Sequence, residues 1–108
     1  MKIVVFPYIL HKSFAAITIF PLIILKNKAL KNDIILINHE KIHIKQQIEM
    51  LWFLFFIWFL LEYLFRLIQY QNFYWAYKNI SFEREAYANE CDLDYPEKRK
   101  LFGFIKYL

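Results

Sequence analysis

From Pro21 to Pro96 the chain contains no glycine and no further proline, and this stretch constrains the fold more than any other feature. Proline removes an amide donor and glycine loosens the backbone, so their absence leaves helix as the expected state wherever polar turn residues do not intervene. Residues suited to turns cluster at Lys26-Asn27-Lys28, Asn32-Asp33, Gln71-Asn72 and Asn79-Ile80-Ser81. They divide the 108 residues into pieces of a single domain. The expected architecture is mainly α: a β-rich segment over 1–31, a long helix over 33–70, a shorter helix over 80–92, and a basic, aromatic tail over 95–108.

In the front segment, Ile3-Val4-Val5-Phe6 and Ile17-Thr18-Ile19-Phe20 are β-branched and aromatic. They read as two short paired strands, a β-hairpin with Pro7 and Pro21 at strand ends or edges. A secretory signal is the competing reading of this apolar start, but His11-Lys12 interrupts it and no clean small-x-small cleavage site follows.

The long helix opens at Asn32-Asp33, either of which can cap its first amides, and is expected to run unbroken to about Tyr70. A straight helix of that length would measure roughly 55 Å at ~1.5 Å per residue, far beyond a domain whose radius of gyration is about 13 Å. Either it bends without Pro or Gly, or its end leaves the globular body. Residues 50–61 carry no polar side chain, and only Glu62 and Arg66, placed to pair at i, i+4, interrupt the apolar run before Ile68. Composition points the same way: 59% of the chain is hydrophobic and 21% aromatic.

A helix apolar all round demands burial on every side, which a chain of this size cannot supply. Insertion into a membrane or embedding at its surface is therefore expected, with membrane lipid as a partner. The competing reading is a soluble, cytoplasmic protein whose hydrophobic helix forms a core or joins two copies in a homo-oligomer. Basic residues flank the run on both sides in similar density, so charge assigns no orientation. The excess of 14 Lys+Arg over 10 Asp+Glu gives a net +4, too modest and scattered to indicate nucleic acid. Cys91 is the only cysteine, which excludes an internal disulfide.

The chemistry lies in His39-Glu40-Lys41-Ile42-His43, an HExxH motif inside the long helix. Imidazoles at i and i+4 project from one face and can bind one metal ion, while Glu40, about 100° around, faces the open side of that ion as a general base. Ile34, Ile37, Ile44 and Ile48 form the expected packing stripe away from it. Catalytic zinc takes three protein ligands. His11, the one remaining histidine, is distant in sequence but stays a candidate for the third. Glu49 and Glu62 sit too far along the same helix, which leaves the carboxylates of 81–90, on a helix able to fold back antiparallel. There Ser81 is the expected N-cap, with Glu83 and Glu85 in the first turn, where carboxylates suit the helix dipole.

His39-Glu40-Lys41-Ile42-His43-Ile44-Lys45-Gln46, followed some forty residues later by Arg84-Glu85-Ala86-Tyr87-Ala88-Asn89-Glu90, resembles the zinc peptidase core of the gluzincin type. It is most similar to the β-lactam-sensor (antirepressor) class of membrane metallopeptidases, and more loosely to the CaaX-prenyl and heat-shock membrane proteases. The resemblance implies a helical zincin-like core and a zinc ion held by His39, His43 and Glu85. It also implies Glu40 as catalytic base and a peptide or protein substrate. In the family's second motif, approximately E-x-x-A-D, the last position is Asp; here it is Asn89, a neutral amide that can orient a ligand histidine without adding negative charge.

Oxyanion stabilisation needs a further donor, for which Tyr87, Arg84, Tyr77 and His11 are the candidates. The leading expectation is a zinc-dependent peptidase-like protein hydrolysing peptide bonds at or in a membrane. The alternative, motivated by Asn89 and by the short chain, is a catalytically silent, zinc-binding, membrane-associated regulatory or interaction module.

Overall fold

The structure, a computed structural model, describes residues 2–6 and 15–108. Three short strands come first: β1 (Lys2–Val5), β2 (Ala16–Ile19) and β3 (Leu22–Leu25). The expected hairpin between Ile3–Phe6 and Ile17–Phe20 does not form: β2 instead pairs antiparallel with β3, with Thr18 opposite Ile23, across a cis Phe20-Pro21 bond. The run Ile3-Val4-Val5 pairs elsewhere, parallel to β3, so the sheet order is β1-β3-β2. One strand more than expected arises because Leu22-Ile23-Ile24-Leu25 is the most buried of the apolar runs, covered by a strand on each side and by a helix on one face. Pro7 and His11 lie outside the described residues.

Five helices follow: α1 (Ile34–Glu49), α2 (Phe53–Tyr70), α3 (Phe73–Lys78), α4 (Ser81–Asn89) and α5 (Tyr95–Lys98). Asp33 caps α1, its carboxylate accepting from Leu36 N at 3.0 Å. The long helix expected over 33–70 is broken at 50–52, where its two halves turn to pack against different partners, and the longest extent of the molecule is 35 Å. The break is a Schellman motif: Trp52 N–H reaches Gln47 O at 2.6 Å and Leu51 N–H reaches Ile48 O at 3.2 Å. Leu51 takes the left-handed position that glycine normally fills, at φ 54°. Trp52 follows at φ 63°, ψ −64°, and Phe53 N–H closes a γ-turn onto Leu51 O.

α1 lies between the sheet and α4. On the sheet side Ile44 packs with Ile23 and Leu25. The expected stripe is realised only in its middle, because Ile34 and Ile48 are exposed. On the other side α4 runs antiparallel to α1: Asn38 meets Glu90 and Asp92, whereas Gln46 meets Phe82 and Glu85. A second apolar cluster of Met50, Phe55, Ile80, Phe82 and Phe104 ties α1, α2, α4 and the C-terminal segment together.

Both ends of α4 are held by buried polar side chains from other helices. Ser81 is the first helical residue and not the expected N-cap. The cap position is Ile80, which has no side-chain oxygen, and Glu62 of α2 takes over by accepting from Ser81 N and from Ser81 Oγ. Glu62 also accepts from Trp58 Nε1 and pairs with Arg66 as the i, i+4 spacing suggests. At the other end Asn38 donates to Glu90 O and Asp92 O at 2.8 and 2.9 Å. Beyond the stripe of Phe55, Glu62 and Arg66, the wall of α2 is exposed, including Leu54, Ile57, Leu60, Leu61, Leu64 and Ile68.

Two stability outcomes follow from these contacts, both read by denaturant unfolding. Glu62→Ala removes the carboxylate that neutralises the buried Arg66, which keeps only its bond to Gln69, and orphans the Ser81 donors; it is expected to cost about 3–5 kcal/mol. Leu51→Val, a β-branched residue forced to positive φ, is expected to cost about 1–2 kcal/mol, while Leu51→Gly is neutral or stabilising.

Candidate metal centre

His39 and His43, one turn apart on α1, bring their Nε2 atoms within 3.2 Å of each other. The Glu83 carboxylate of α4 completes a triangle, with Oε1 at 3.2 Å from His39 Nε2 and Oε2 at 3.0 Å from His43 Nε2. These three residues are 5% exposed or less. Four-coordinate zinc with bonds of about 2.0–2.1 Å places its donors about 3.3 Å apart along the edges of a tetrahedron. The spacing of the three groups therefore fits one small divalent cation.

Hydrogen bonds on the far side of each ring decide which nitrogen faces the centre. His39 Nδ1 lies 2.9 Å from Glu90 Oε2, and His43 Nδ1 lies 2.7 Å from Gln46 Oε1. Both partners are acceptors, so in the neutral rings each Nδ1 carries the proton and each Nε2 presents a lone pair to the centre. Tyr77 donates to Glu83 from α3. The ring of Tyr87 stands edge-on to His39 with centroids 4.5 Å apart.

Glu40 is placed differently. Its Oε1 accepts from Thr18 Oγ1 of β2 at 3.0 Å, and its Oε2 stands 3.8 Å from His39 Nε2, beside the triangle and outside it. Gln47 holds β2 in position, donating to Thr18 O at 2.8 Å and accepting from Phe20 N at 2.6 Å. His39, Glu40 and His43 form a buried group with donor atoms close enough to hold a metal.

The electrostatics follow from burying three Lewis bases together. Burial alone would pull His43 down, but the Glu83 charge and hydrogen bond, joined by Glu40 and Gln46, outweigh it and hold the imidazole up at about 9. Burial pushes Glu83 up, and the His43 and His39 rings override it, bringing that carboxyl down to about 2. In Glu40 burial wins over both imidazoles and the Thr18 hydrogen bond, and its carboxyl is raised. Tyr77 and Tyr87 are raised chiefly by burial and remain donors at neutral pH.

Of the residues singled out in the sequence, His39, Glu40, His43, Tyr87 and Tyr77 converge here, and Glu85, Asn89 and Arg84 do not. Glu85 is completely buried and paired with Arg99, at 2.8 Å from Nε to Oε2. Asn89 donates to Glu85 O and to Tyr107 Oη and touches neither histidine; the carboxylate on His39 is that of Glu90. Arg84 is bonded to Asn79 Oδ1, Tyr107 O and Tyr70 Oη, away from the centre. His11 lies outside the described residues.

Helix geometry explains the shift. Residues two apart on a helix point about 200° apart, so Glu83 and Glu85 face opposite ways. Glu83, Tyr87 and Glu90, at i, i+4 and i+7, form the stripe that faces His39, and that period was readable in the sequence. Comparison with family models, with curated proteins and with solved structures finds no match to this chain.

The pairing of Glu83 with His43 has a direct readout. Glu83→Gln removes the principal charge holding the ring up, so the His43 pKa is expected to fall from about 9 to its ordinary 6.5 or below. NMR titration of the metal-free protein checks this, and an unchanged value would exclude the pairing.

Proposed function

We propose that this chain is a minimal zinc-dependent, peptidase-like hydrolase of the gluzincin type working at a membrane, with His39, His43 and Glu83 as metal ligands and Glu40 as general base. The observation that carries the reading is the convergence of two Nε2 lone pairs and a carboxylate at 3.0–3.2 Å, in a setting where hydrogen bonds dictate the tautomer of both rings. A zinc ion supplies a Lewis acid that polarises a scissile carbonyl and makes a water acidic near neutral pH. Glu40 receives the proton of the attacking water on its carboxylate and delivers it to the leaving amine, a role suited to a carboxyl raised by burial. Tyr87, whose ring lies against His39, is the candidate O–H donor to the developing oxyanion.

Lipid is the partner proposed for α2. The helix is long and apolar enough to cross a membrane, by length and composition, and only 17% of it is buried. Its exposed wall includes Leu54, Ile57, Leu60, Leu61, Leu64 and Ile68, and large exposed apolar patches mark contact sites for membrane or protein.

Burial of the centre favours a second reading. His39, Glu40, His43 and Glu83 are each 5% exposed or less, which suits a metal that clamps α1 to α4 in a catalytically silent binding or regulatory module. Structural zinc sites are closed, whereas catalytic ones keep a position open.

Metal analysis tests the shared premise: about one zinc per chain is expected, lost in His43→Ala, and metal-free wild type would end both readings. Peptide cleavage then separates them. Under the hydrolase reading Glu40→Gln keeps the zinc and loses cleavage by at least about 100-fold; under the clamp reading no peptide is cut and chelation unfolds the chain. For the membrane, wild type is expected to float with lipid vesicles, and Leu61→Glu with Leu64→Glu, both on the exposed wall, to remain in the aqueous fraction. Wild type that stays soluble as a dimer would instead assign that wall to a second copy.

A further inference from the structure

Glu85 has no lone pair left for a metal. Its Oε2 accepts from Arg99 Nε at 2.8 Å and from Tyr95 Oη at 2.6 Å, and its Oε1 accepts from Arg99 Nη2 at 2.8 Å and from Gln46 Nε2 at 2.9 Å. Four bonds fill the acceptor capacity of a carboxylate. Arg99 is locked in turn by Glu49, which accepts from Nη1 at 2.9 Å and Nη2 at 3.1 Å. The chain's only glycine completes this arrangement. A Cβ on Gly103 would stand 2.8 Å from Glu85 Oε2, so the carboxylate occupies space that any other residue would deny it.

The bond to Gln46 leads back to the metal centre. Gln46 donates through Nε2 to two acceptors, Glu85 Oε1 and Phe82 O. That fixes the amide orientation and leaves Gln46 Oε1 facing His43 Nδ1 at 2.7 Å. A flipped amide would set an N–H₂ group against His43 Nδ1–H, two donors facing each other.

We propose that Glu85 is a positioning residue: held by Arg99 and Gly103, it fixes the Gln46 amide so that His43 keeps its proton on Nδ1 and presents Nε2 to the metal. This rests on the reading of the site as a metal centre, and it places the C-terminal segment around Arg99 and Gly103 in control of a ligand it never touches. Partners in the layer beneath a ligand histidine typically contribute 10–100-fold to metal affinity, by orienting the ring and fixing its tautomer.

The test uses the full chain with Glu85→Gln, Gly103→Ala and Glu83→Gln, and circular dichroism to confirm folding. Zinc affinity is measured by chelator competition, and the His43 Nδ1–H resonance by NMR with and without zinc. Glu85→Gln and Gly103→Ala are each expected to weaken zinc by about 10–100-fold and to shift that resonance or hasten its exchange in both states. Glu83→Gln is expected to weaken zinc further and leave the Gln46-bonded proton in place. If Glu85→Gln does not fold, Gly103→Ala carries the test, since it displaces the same carboxylate and leaves every charge intact.

Wild-type affinity with an unmoved resonance would overturn the proposal. So would loss of zinc in Glu85→Gln as complete as in His43→Ala with the resonance unmoved, because Glu85 would then be a ligand. Failure of wild type to bind zinc would remove the metal centre, while the resonance in metal-free protein would still decide whether Glu85 orients Gln46.

Discussion

The centre of this protein is built around three Lewis bases buried about 3 Å apart. Two imidazole lone pairs and a carboxylate in such proximity need a positive charge between them. In the metal-free protein a proton on His43 supplies it, which is why burial fails to discharge that ring. The donor spacing matches the edges of a zinc tetrahedron, so a divalent cation would replace the proton without moving the side chains far. The close approach survives because each group is tied from behind: Glu90 on His39, Gln46 on His43, Tyr77 on Glu83 and Thr18 on Glu40.

This requirement explains an interior that is unusual for so apolar a chain. Among the described residues, the buried set includes Asn38, His39, Glu40, Gln46, Gln47, Glu62, Arg66, Glu83 and Glu85, while leucines and isoleucines of α2 face outward. Buried polar groups are tolerated only when bonded, and none of the fully buried side-chain nitrogen or oxygen atoms described lacks a partner. The helices are joined through these bonds as much as through apolar contact. Glu62 caps α4 from α2, Asn38 closes its other end from α1, and Arg99 draws the C-terminal segment onto Glu49 and Glu85. With polar groups occupying the centre, much of the apolar surface is left on the outside of α2.

The reach of sequence reasoning differed from element to element. Asp33 as a helix start, the i, i+4 pair of Glu62 and Arg66, and the turn at Gln71-Asn72 were legible because caps and helical neighbours depend on residues within one or two turns. The length of the segment called for a bend or an exit from the body, but the place of the break, at Leu51 and Trp52, was not legible. Nothing local marks it, since neither residue favours positive φ, and the stop is imposed by the two halves packing against different partners. The third strand was hidden similarly: Leu22–Leu25 lacks the alternation of a half-exposed strand because both its faces are largely covered.

The sequence by itself determined that two imidazoles and a carboxylate share one turn of helix, that a second acidic helix follows some forty residues later, and that the segment between is apolar over most of its length. Spacing along a helix is a local property, so those conclusions needed no tertiary information. Which carboxylate completes the triangle was decided only by the fold. The rotation of α4 about its axis is set by Glu62 at one end and Asn38 at the other, and that rotation turns Glu83 toward the histidines and Glu85 toward Arg99. A difference of two residues in sequence thus becomes opposite faces of a helix, and Glu85, the ligand that the resemblance implied, stands instead behind His43, joined to it through Gln46.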